Sequence, residues 1–100
     1  MVTAVNICGI PYTVEYVKDD FDADTHFGQI TYAKGKIKIN KDMPPAIIKE
    51  AICHEMVHGM FVHLGYNEIA NDEQLVQALA NAISQGFEIK NLGCEANVNQ

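Results

Sequence analysis

A chain of 100 residues has room for a single small domain with one hydrophobic core. Hydrophobic residues make up 48% of it, which is typical of a globular protein and excludes disorder as the default state. A net charge of −6 excludes a basic surface for nucleic acid or an anionic membrane. We therefore expect one domain over residues 1–90 whose partners are proteins, peptides or metal ions, followed by a polar, loosely ordered tail over residues 91–100.

The first forty residues contain runs with the two-residue period of β-strands. One run covers residues 11–17, and two more within residues 29–40 flank Lys34 and Gly35, where a glycine-containing connection indicates a tight hairpin. The intervening segment 19–24 holds four aspartates and is expected to be an exposed loop. The large apolar side chains that alternate along these runs are Tyr12, Val14, Tyr16, Ile30, Tyr32, Ile37 and Ile39. The pattern predicts a small antiparallel sheet of about three strands.

From residue 44 the apolar period changes to that of an α-helix. Pro44 and Pro45 indicate its start, because proline at the first helical position loses no hydrogen bond, and Gly65 is a natural terminator. The helix predicted over residues 46–65 carries apolar side chains almost all the way round. Such a helix is buried on every side, so we expect it to be the central helix, packed between the sheet and the elements that follow.

A second helix is predicted over residues 71–86, with Asn71 or Asp72 as its N-cap and Gly86 at its end. The apolar stripe expected to face the central helix consists of Leu75, Val76, Leu79, Ile83 and Phe87. The side expected to face solvent consists of Gln74, Gln77, Asn81 and Gln85. The sheet, the central helix and the second helix together predict an α+β fold.

The cysteines and the apolar segments are typical of a protein of the reducing cytoplasm. Residues 1–10 lack a basic leader and a small-residue cleavage site, and no apolar run reaches the roughly 20 residues that cross a bilayer. The three cysteines, at wide spacing, are neither a disulfide framework nor a CxxC zinc site. We therefore expect a cytoplasmic protein without a membrane partner, whose Cys8, Cys53 and Cys94 are reduced thiols that act as small buried side chains.

The predicted central helix contains the sequence "HEMVH", with His54, Glu55 and His58. Histidines four residues apart project from adjacent turns about 40° apart around the axis, so both imidazoles can reach one ion at about 2.1 Å. Glu55 follows about 100° further round, beside the ion, where it can accept a proton from a metal-activated water. Because a charged glutamate is costly in a buried helix, the pattern predicts a metal site at His54 and His58 with Glu55 as general base.

A catalytic zinc requires a third protein ligand and an open fourth position, and several residues compete for that place. His63 lies about 180° round the helix from His54 and faces away. His26, ahead of the hairpin, could fold over the site. Asp72 and Glu73 both begin the second helix, on or beside its apolar stripe, and on geometry alone they are nearly equivalent. Asp72 has the alternative roles of capping the helix or orienting a ligand histidine.

The stretch "ICHEMVHGMFVHLGYNEIANDEQLVQALANAI" resembles short metallopeptidases of phages and mobile elements that are allied to the ImmA/IrrE group of zincins. The resemblance covers residues 37–85 and implies a minimal zincin-like fold with Zn²⁺ as cofactor. It matches His54 and His58 to the ligand histidines, Glu55 to the general base and Glu73 to the third ligand. Members of that group are endopeptidases, some of which cut repressors of mobile elements. The resemblance thus implies a protein or peptide substrate, such as a repressor or host regulatory protein, in the cytoplasm of a bacterial host.

The predicted function is zinc-dependent hydrolysis of a peptide bond. A substrate strand would lie along the sheet edge, expected at Ile37–Asn40, by strand addition, and Tyr66 or His26 could stabilise the oxyanion. The alternative is a phage protein that keeps zinc as a structural staple, or a degenerate site, and binds a host protein without catalysis. The two differ in coordination, because a structural site is closed by four protein ligands whereas a catalytic site keeps a position for water.

Overall fold

The computed structural model describes residues 1–18 and 27–93, and the predicted loop at 19–24 and His26 lie outside them. The strands are β1 Ala4–Ile7, β2 Ile10–Val17, β3 Gly28–Thr31 and β4 Lys36–Asn40. The helices are α1 Pro45–His63, α2 Asn67–Ala70 and α3 Glu73–Gly86. The predicted α+β class is confirmed.

Within these residues the four strands form one mixed sheet in the order β1-β2-β4-β3. β1 pairs with β2 and β3 pairs with β4 in antiparallel fashion, whereas β2 and β4 run parallel. The predicted hairpin is confirmed, although its turn spans residues 32–35 rather than two residues. The prediction of three antiparallel strands is wrong in the strand number, because β1 is an additional strand. It is also wrong in one pairing direction, because the hairpin places β4 between β2 and β3, where it runs parallel to β2.

The additional strand β1 is short and is joined to β2 by a turn that the sequence does not signal. Val5 and Ile7 are fully buried in the core. Cys8 and Gly9 connect the strands with φ angles of 52° and 84°, and two positive φ angles are what a two-residue hairpin turn of type I′ requires. Positive φ is uncommon for a cysteine, so the residue types at this turn predict no hairpin.

The helix α1 is central, as predicted, and it separates two clusters of apolar side chains. The cluster between the sheet and α1 consists of Val5, Ile7, Tyr12, Val14, Ile37, Ile39, Ala51 and Ile52. The cluster between α1 and α3 consists of Cys53, Val57, Val76 and Ala80. Gly59 lets α1 lie close to the sheet, because a Cβ atom there would be 2.9 Å from Ile7 Cδ1 and 3.3 Å from Ile30 Cδ1.

Among the described residues, two helices follow α1 rather than the single one predicted. The additional helix α2 is one turn long, too short for its apolar period to be visible in the sequence. The predicted stripe of α3 is wrong in part, because Val76 and Ala80 are fully buried whereas Leu75 and Leu79 are 38% and 37% exposed. The smaller side chains face α1 and permit close packing, and this rotation of α3 also turns Gln77, expected in solvent, towards α1.

The last described residues contact the N-terminal residues that precede β1. The backbone N–H of Thr3 donates to Asn91 Oδ1 at 3.1 Å, and Asn91 Nδ2 donates to the carbonyl of Met1 at 2.9 Å. The rest of the predicted tail, residues 94–100, lies outside the described residues. None of the helices in the described ranges combines the length and the apolar character that a membrane span requires.

Candidate metal centre

Two imidazoles from adjacent turns of α1 converge on one point. The Nε2 atoms of His54 and His58 are 3.1 Å apart, and both side chains are largely buried, with exposed fractions of 19% and 12%. Two ligand atoms about 2.1 Å from a tetrahedral ion lie about 3.4 Å apart, so the observed separation is close to what a shared ion needs. The spacing of the two histidines along α1 thus produces the convergence that the sequence predicts.

Glu73, the first residue of α3, completes a cluster of three potential metal ligands. Its Oε1 atom lies 3.0 Å from His54 Nε2, and its Oε2 atom lies 3.0 Å from His58 Nε2. The carboxylate is 69% exposed and sits at a helix N-terminus, where negative charge is favoured. These three side chains could hold a metal ion, because each offers a ligand atom and all of these atoms lie within 4.8 Å of one another.

The other candidates for the third ligand have different positions. Asp72 is the N-cap of α3, and its carboxylate accepts a hydrogen bond from the backbone N–H of Leu75 at 3.1 Å. His63 is not a member of the cluster, and its Nε2 atom is 2.5 Å from the hydroxyl of Tyr12. The structure therefore brings Glu73, and neither of these residues, to the two histidines.

Hydrogen bonds on the far side of each imidazole fix its orientation. His58 Nδ1–H donates at 2.7 Å to the carbonyl of Ala70, at the C-terminus of α2, where a carbonyl lacks a helical partner. His54 Nδ1–H donates at 2.7 Å to Gln77 Oε1, and Gln77 Nε2 donates at 2.8 Å to Asn81 Oδ1, which sets the direction of the Gln77 amide. A hydrogen on each Nδ1 atom leaves both Nε2 atoms directed at the cluster, and a neutral ring in this tautomer can offer its Nε2 lone pair to a metal.

Gln77 supports the cluster, although the sequence pattern does not predict this. It lies one turn after Glu73 on the same face of α3, so a single helix face supplies one candidate ligand, Glu73, and the hydrogen-bond acceptor for another, His54. The amphipathic pattern placed it in solvent because glutamine is polar, and polarity does not distinguish a solvated side chain from one that bonds a buried histidine. The signal available was its i, i+4 spacing from Glu73.

We expect Gln77→Leu to lower zinc affinity 10- to 100-fold, because His54 would lose the partner that fixes its ring. Competition with a chromogenic chelator measures this affinity. Gln74→Leu is the matched control, since Gln74 is exposed on the same helix and is expected to leave the affinity unchanged. Equal affinities for the two variants would show that the hydrogen bond does not support the site.

Glu55 is buried beside this cluster, with an exposed fraction of 7%. Its burial, and secondly the negative charge of Glu73, raises the pKa of Glu55 to about 7. Edge strand β3 packs closely opposite it, since a Cβ atom on Gly28 would be 3.4 Å from Glu55 Cγ. A carboxyl group with a pKa near neutrality can both accept and return a proton, which is the property of a general base and acid.

The cluster opens into a cleft of about 690 Å³ between β3 and the helices. One wall is the β3 segment with its flanking residues Phe27 and Tyr32, and the opposite wall includes Asn71, Glu73 and Gln77 from the α2–α3 region. His54, Glu55 and His58 of α1 lie between them, together with Glu50 and Ala51. No lysine or arginine of the described residues lines the cleft, so a bound cation would not meet a competing lysine or arginine charge there.

The expected substrate edge needs correction. Ile37–Asn40 is not a sheet edge, because β4 pairs with β2 on one side and β3 on the other. The strand beside the cleft that lies at the edge of the described sheet is β3. Tyr66 is 56% exposed and is not among the residues that line the cleft, whereas Tyr32 is.

Comparisons of the chain with protein-family models, with curated proteins and with solved structures find no match. The resemblance to the ImmA/IrrE group therefore stays a prediction.

Proposed function

We propose that the protein is a zinc-dependent peptidase that hydrolyses a peptide bond in a protein or peptide substrate. The observation that supports this most strongly is that Glu55, which is only 7% exposed, lines the same open cleft as a convergent His/His/Glu cluster. A purely structural metal site has no use for a base in an open cleft. Hydrolysis needs a base and a cleft that admits the substrate.

The donor set supports zinc as the metal. Two imidazole nitrogens and one carboxylate are the ligand set of many catalytic zinc sites, in which the fourth position is kept for water. In residues 1–18 and 27–93 the cluster has three members, and Glu73 is exposed towards the cleft. A closed structural site would have four protein ligands, so this arrangement favours catalysis over a structural staple. A cation held there would acidify a water molecule and polarise a carbonyl group.

The shape of the cleft supports an extended peptide as substrate. β3 pairs with β4 on one side, and none of the described strands pairs with its other side. An extended chain can add to that edge through main-chain hydrogen bonds, with its side chains alternating towards and away from the cleft. Because Gly28 of β3 approaches Glu55, such a chain would pass the general base. A repressor or host regulatory protein in a bacterial cytoplasm is the substrate class and setting we propose.

Glu55 transfers the proton in this mechanism. As the water oxygen bonds to the carbonyl carbon, Glu55 accepts a water proton, and it then donates this proton to the amide nitrogen as the carbon–nitrogen bond breaks. The products are a free amine and a carboxylic acid. Gln77 and the carbonyl of Ala70 meanwhile hold the histidine rings in a fixed orientation.

Removal of the metal tests the proposal. The protein is stripped with a chelator, its fold is checked by circular dichroism, and hydrolysis of a quenched peptide library of random sequence is followed by fluorescence. We expect hydrolysis to stop on chelation and to return with one equivalent of zinc. Undiminished hydrolysis by the stripped protein would contradict the proposal. Zinc binding without any hydrolysis would instead favour a protein that binds a host partner without catalysis.

A further inference from the structure

The residues that line the cleft include one tyrosine, Tyr32, to which the mechanism above assigns no role. Tyr32 follows β3 directly, in the turn that leads to β4, and it is 38% exposed. Its side chain lines the same cleft as His54, Glu55 and His58. The strand that would bind the peptide thus ends in a phenol beside the reacting groups.

Tyr32 contacts a hydrogen-bonded pair of side chains, His63 and Tyr12. The ring of His63 meets it edge to face, with centroids 6.1 Å apart. His63 in turn is fixed by the hydroxyl of Tyr12, whose side chain is only 1% exposed. Tyr12 belongs to β2 and His63 to the end of α1, so two separate elements of the core position Tyr32. A surface tyrosine with a purely packing role does not require such a support.

The charges in the cleft act on the Tyr32 hydroxyl. Burial is the largest cause that raises the pKa of Tyr32, and the charges of Glu55, Tyr12 and Glu73 raise it further. The hydroxyl is therefore within electrostatic reach of the base and of a metal ligand, and it stays protonated at neutral pH. A protonated phenol is a hydrogen-bond donor.

We propose that Tyr32 is a catalytic residue that donates a hydrogen bond to the oxyanion formed at the scissile carbonyl, and that His63 and Tyr12 position it. This inference rests on the proposed peptidase function. Negative charge develops on the carbonyl oxygen when water adds, and a fixed donor aimed at that oxygen stabilises the transition state more than the ground state. The hydroxyl keeps its proton throughout, so the step balances without a further reactant.

Kinetics on the zinc-loaded protein test the role of Tyr32. We expect Tyr32→Phe to lower kcat about 100-fold while KM changes less than threefold, since one oxyanion donor is worth about 10²- to 10³-fold in kcat. Tyr66→Phe is the matched control, because Tyr66 lies outside the cleft, and it is expected to keep wild-type kcat. A kcat for Tyr32→Phe within threefold of wild type would overturn the assignment.

The effect of Tyr12→Phe in two backgrounds tests whether Tyr12 positions Tyr32. Tyr12→Phe removes the hydroxyl that fixes His63, and we expect kcat to fall about fivefold in the wild-type background but to stay unchanged in the Tyr32→Phe background. A purely structural role for Tyr12 would lower kcat equally in both backgrounds, and this result would contradict the positioning role. Thermal denaturation of each variant shows whether it is folded.

A binding measurement separates this inference from the peptidase proposal. A tripeptide phosphonamidate carries the tetrahedral, negatively charged centre of the transition state, and its affinity for zinc-loaded protein is measured by calorimetry. We expect Tyr32→Phe to bind it about 100-fold more weakly than wild type and Tyr66→Phe to bind it equally well. Equal binding by Tyr32→Phe would overturn the role of Tyr32 alone. If wild type neither hydrolyses peptides nor binds the phosphonamidate, the peptidase proposal fails and this inference fails with it.

Discussion

Glu55→Gln is expected to lower kcat for peptide hydrolysis about 10³-fold while the protein keeps its zinc. The amide of glutamine has nearly the shape of the carboxyl group but cannot accept the water proton, and general-base catalysis contributes about 10²- to 10⁴-fold. Glu55 is not in the ligand cluster of His54, His58 and Glu73, so its replacement leaves all three ligands in place. Peptide cleavage rates and the zinc content by mass spectrometry measure the two effects.

Glu68→Gln is the matched control for this substitution. It makes the same change of charge and shape on exposed helix α2, outside the residues that line the cleft. We expect its kcat to equal that of wild type. A Glu55→Gln protein that hydrolyses peptides within tenfold of the wild-type rate would exclude Glu55 as the base.

The same substitution also has an expected effect on the stability of the metal-free protein. The pKa of Glu55 is about 7 in the folded protein against an ordinary value of 4.5, so the folded state binds the proton more tightly. The stability from this tighter binding is fully present below pH 4.5 and is lost as pH rises through 7, by about 3 kcal/mol at most. Urea unfolding should therefore show Glu55→Gln and wild type equally stable at pH 4, and the variant more stable at pH 8. Equal stability at pH 8 would show that burial does not raise this pKa.

Glu73→Gln is expected to reduce zinc affinity by more than the roughly 100-fold that loss of an outer hydrogen-bond partner can cause. Both carboxylate oxygens lie 3.0 Å from a histidine Nε2 atom, and an amide has neither the charge nor the basicity to replace them. Chelator competition measures the affinity. Hydrolysis is expected to fall in parallel because fewer molecules hold the ion.

Asp72→Asn makes the identical chemical change one residue earlier. Asparagine caps a helix about as well as aspartate, so α3 should keep its N-terminus and the site its zinc affinity. The pair thus distinguishes a ligand from a cap at adjacent positions. If Asp72→Asn lost zinc and Glu73→Gln kept it, the assignment of the third ligand would be reversed.

The sequence predicted the parts of the site that depend on one helix. The spacing of His54 and His58 determines their convergence once α1 forms, and the apolar residues all round α1 indicate its burial. The choice between Asp72 and Glu73 could not be made in this way. It depends on where α3 begins and how it is rotated, and the start of a helix is uncertain by one or two residues from pattern alone.

The parts that the sequence did not predict depend on contacts between elements. Strand order depends on how the β3–β4 hairpin packs against β2. The alternation of Ile37 and Ile39 predicts a strand with one buried face, but this alternation is the same in an edge strand and in an interior strand. The rotation of α3 depends on the packing of Val76 and Ala80 against α1. The larger apolar side chains of Leu75 and Leu79 predict a different buried face, but both are partly exposed. Gln77 becomes part of the site through that rotation.

X-ray absorption at the zinc edge, together with a crystal structure of the zinc-loaded protein, tests the central claim most directly. We predict one zinc ion per chain, bound by two imidazole nitrogens at about 2.0–2.1 Å and by the Glu73 carboxylate at about 2.0–2.2 Å, with solvent at the remaining position. The nitrogen ligands are expected to be Nε2 of His54 and of His58, with Gln77 still bonded to the first ring. Zinc bound elsewhere, or rings of His54 and His58 turned away from one another in the presence of zinc, would contradict the account.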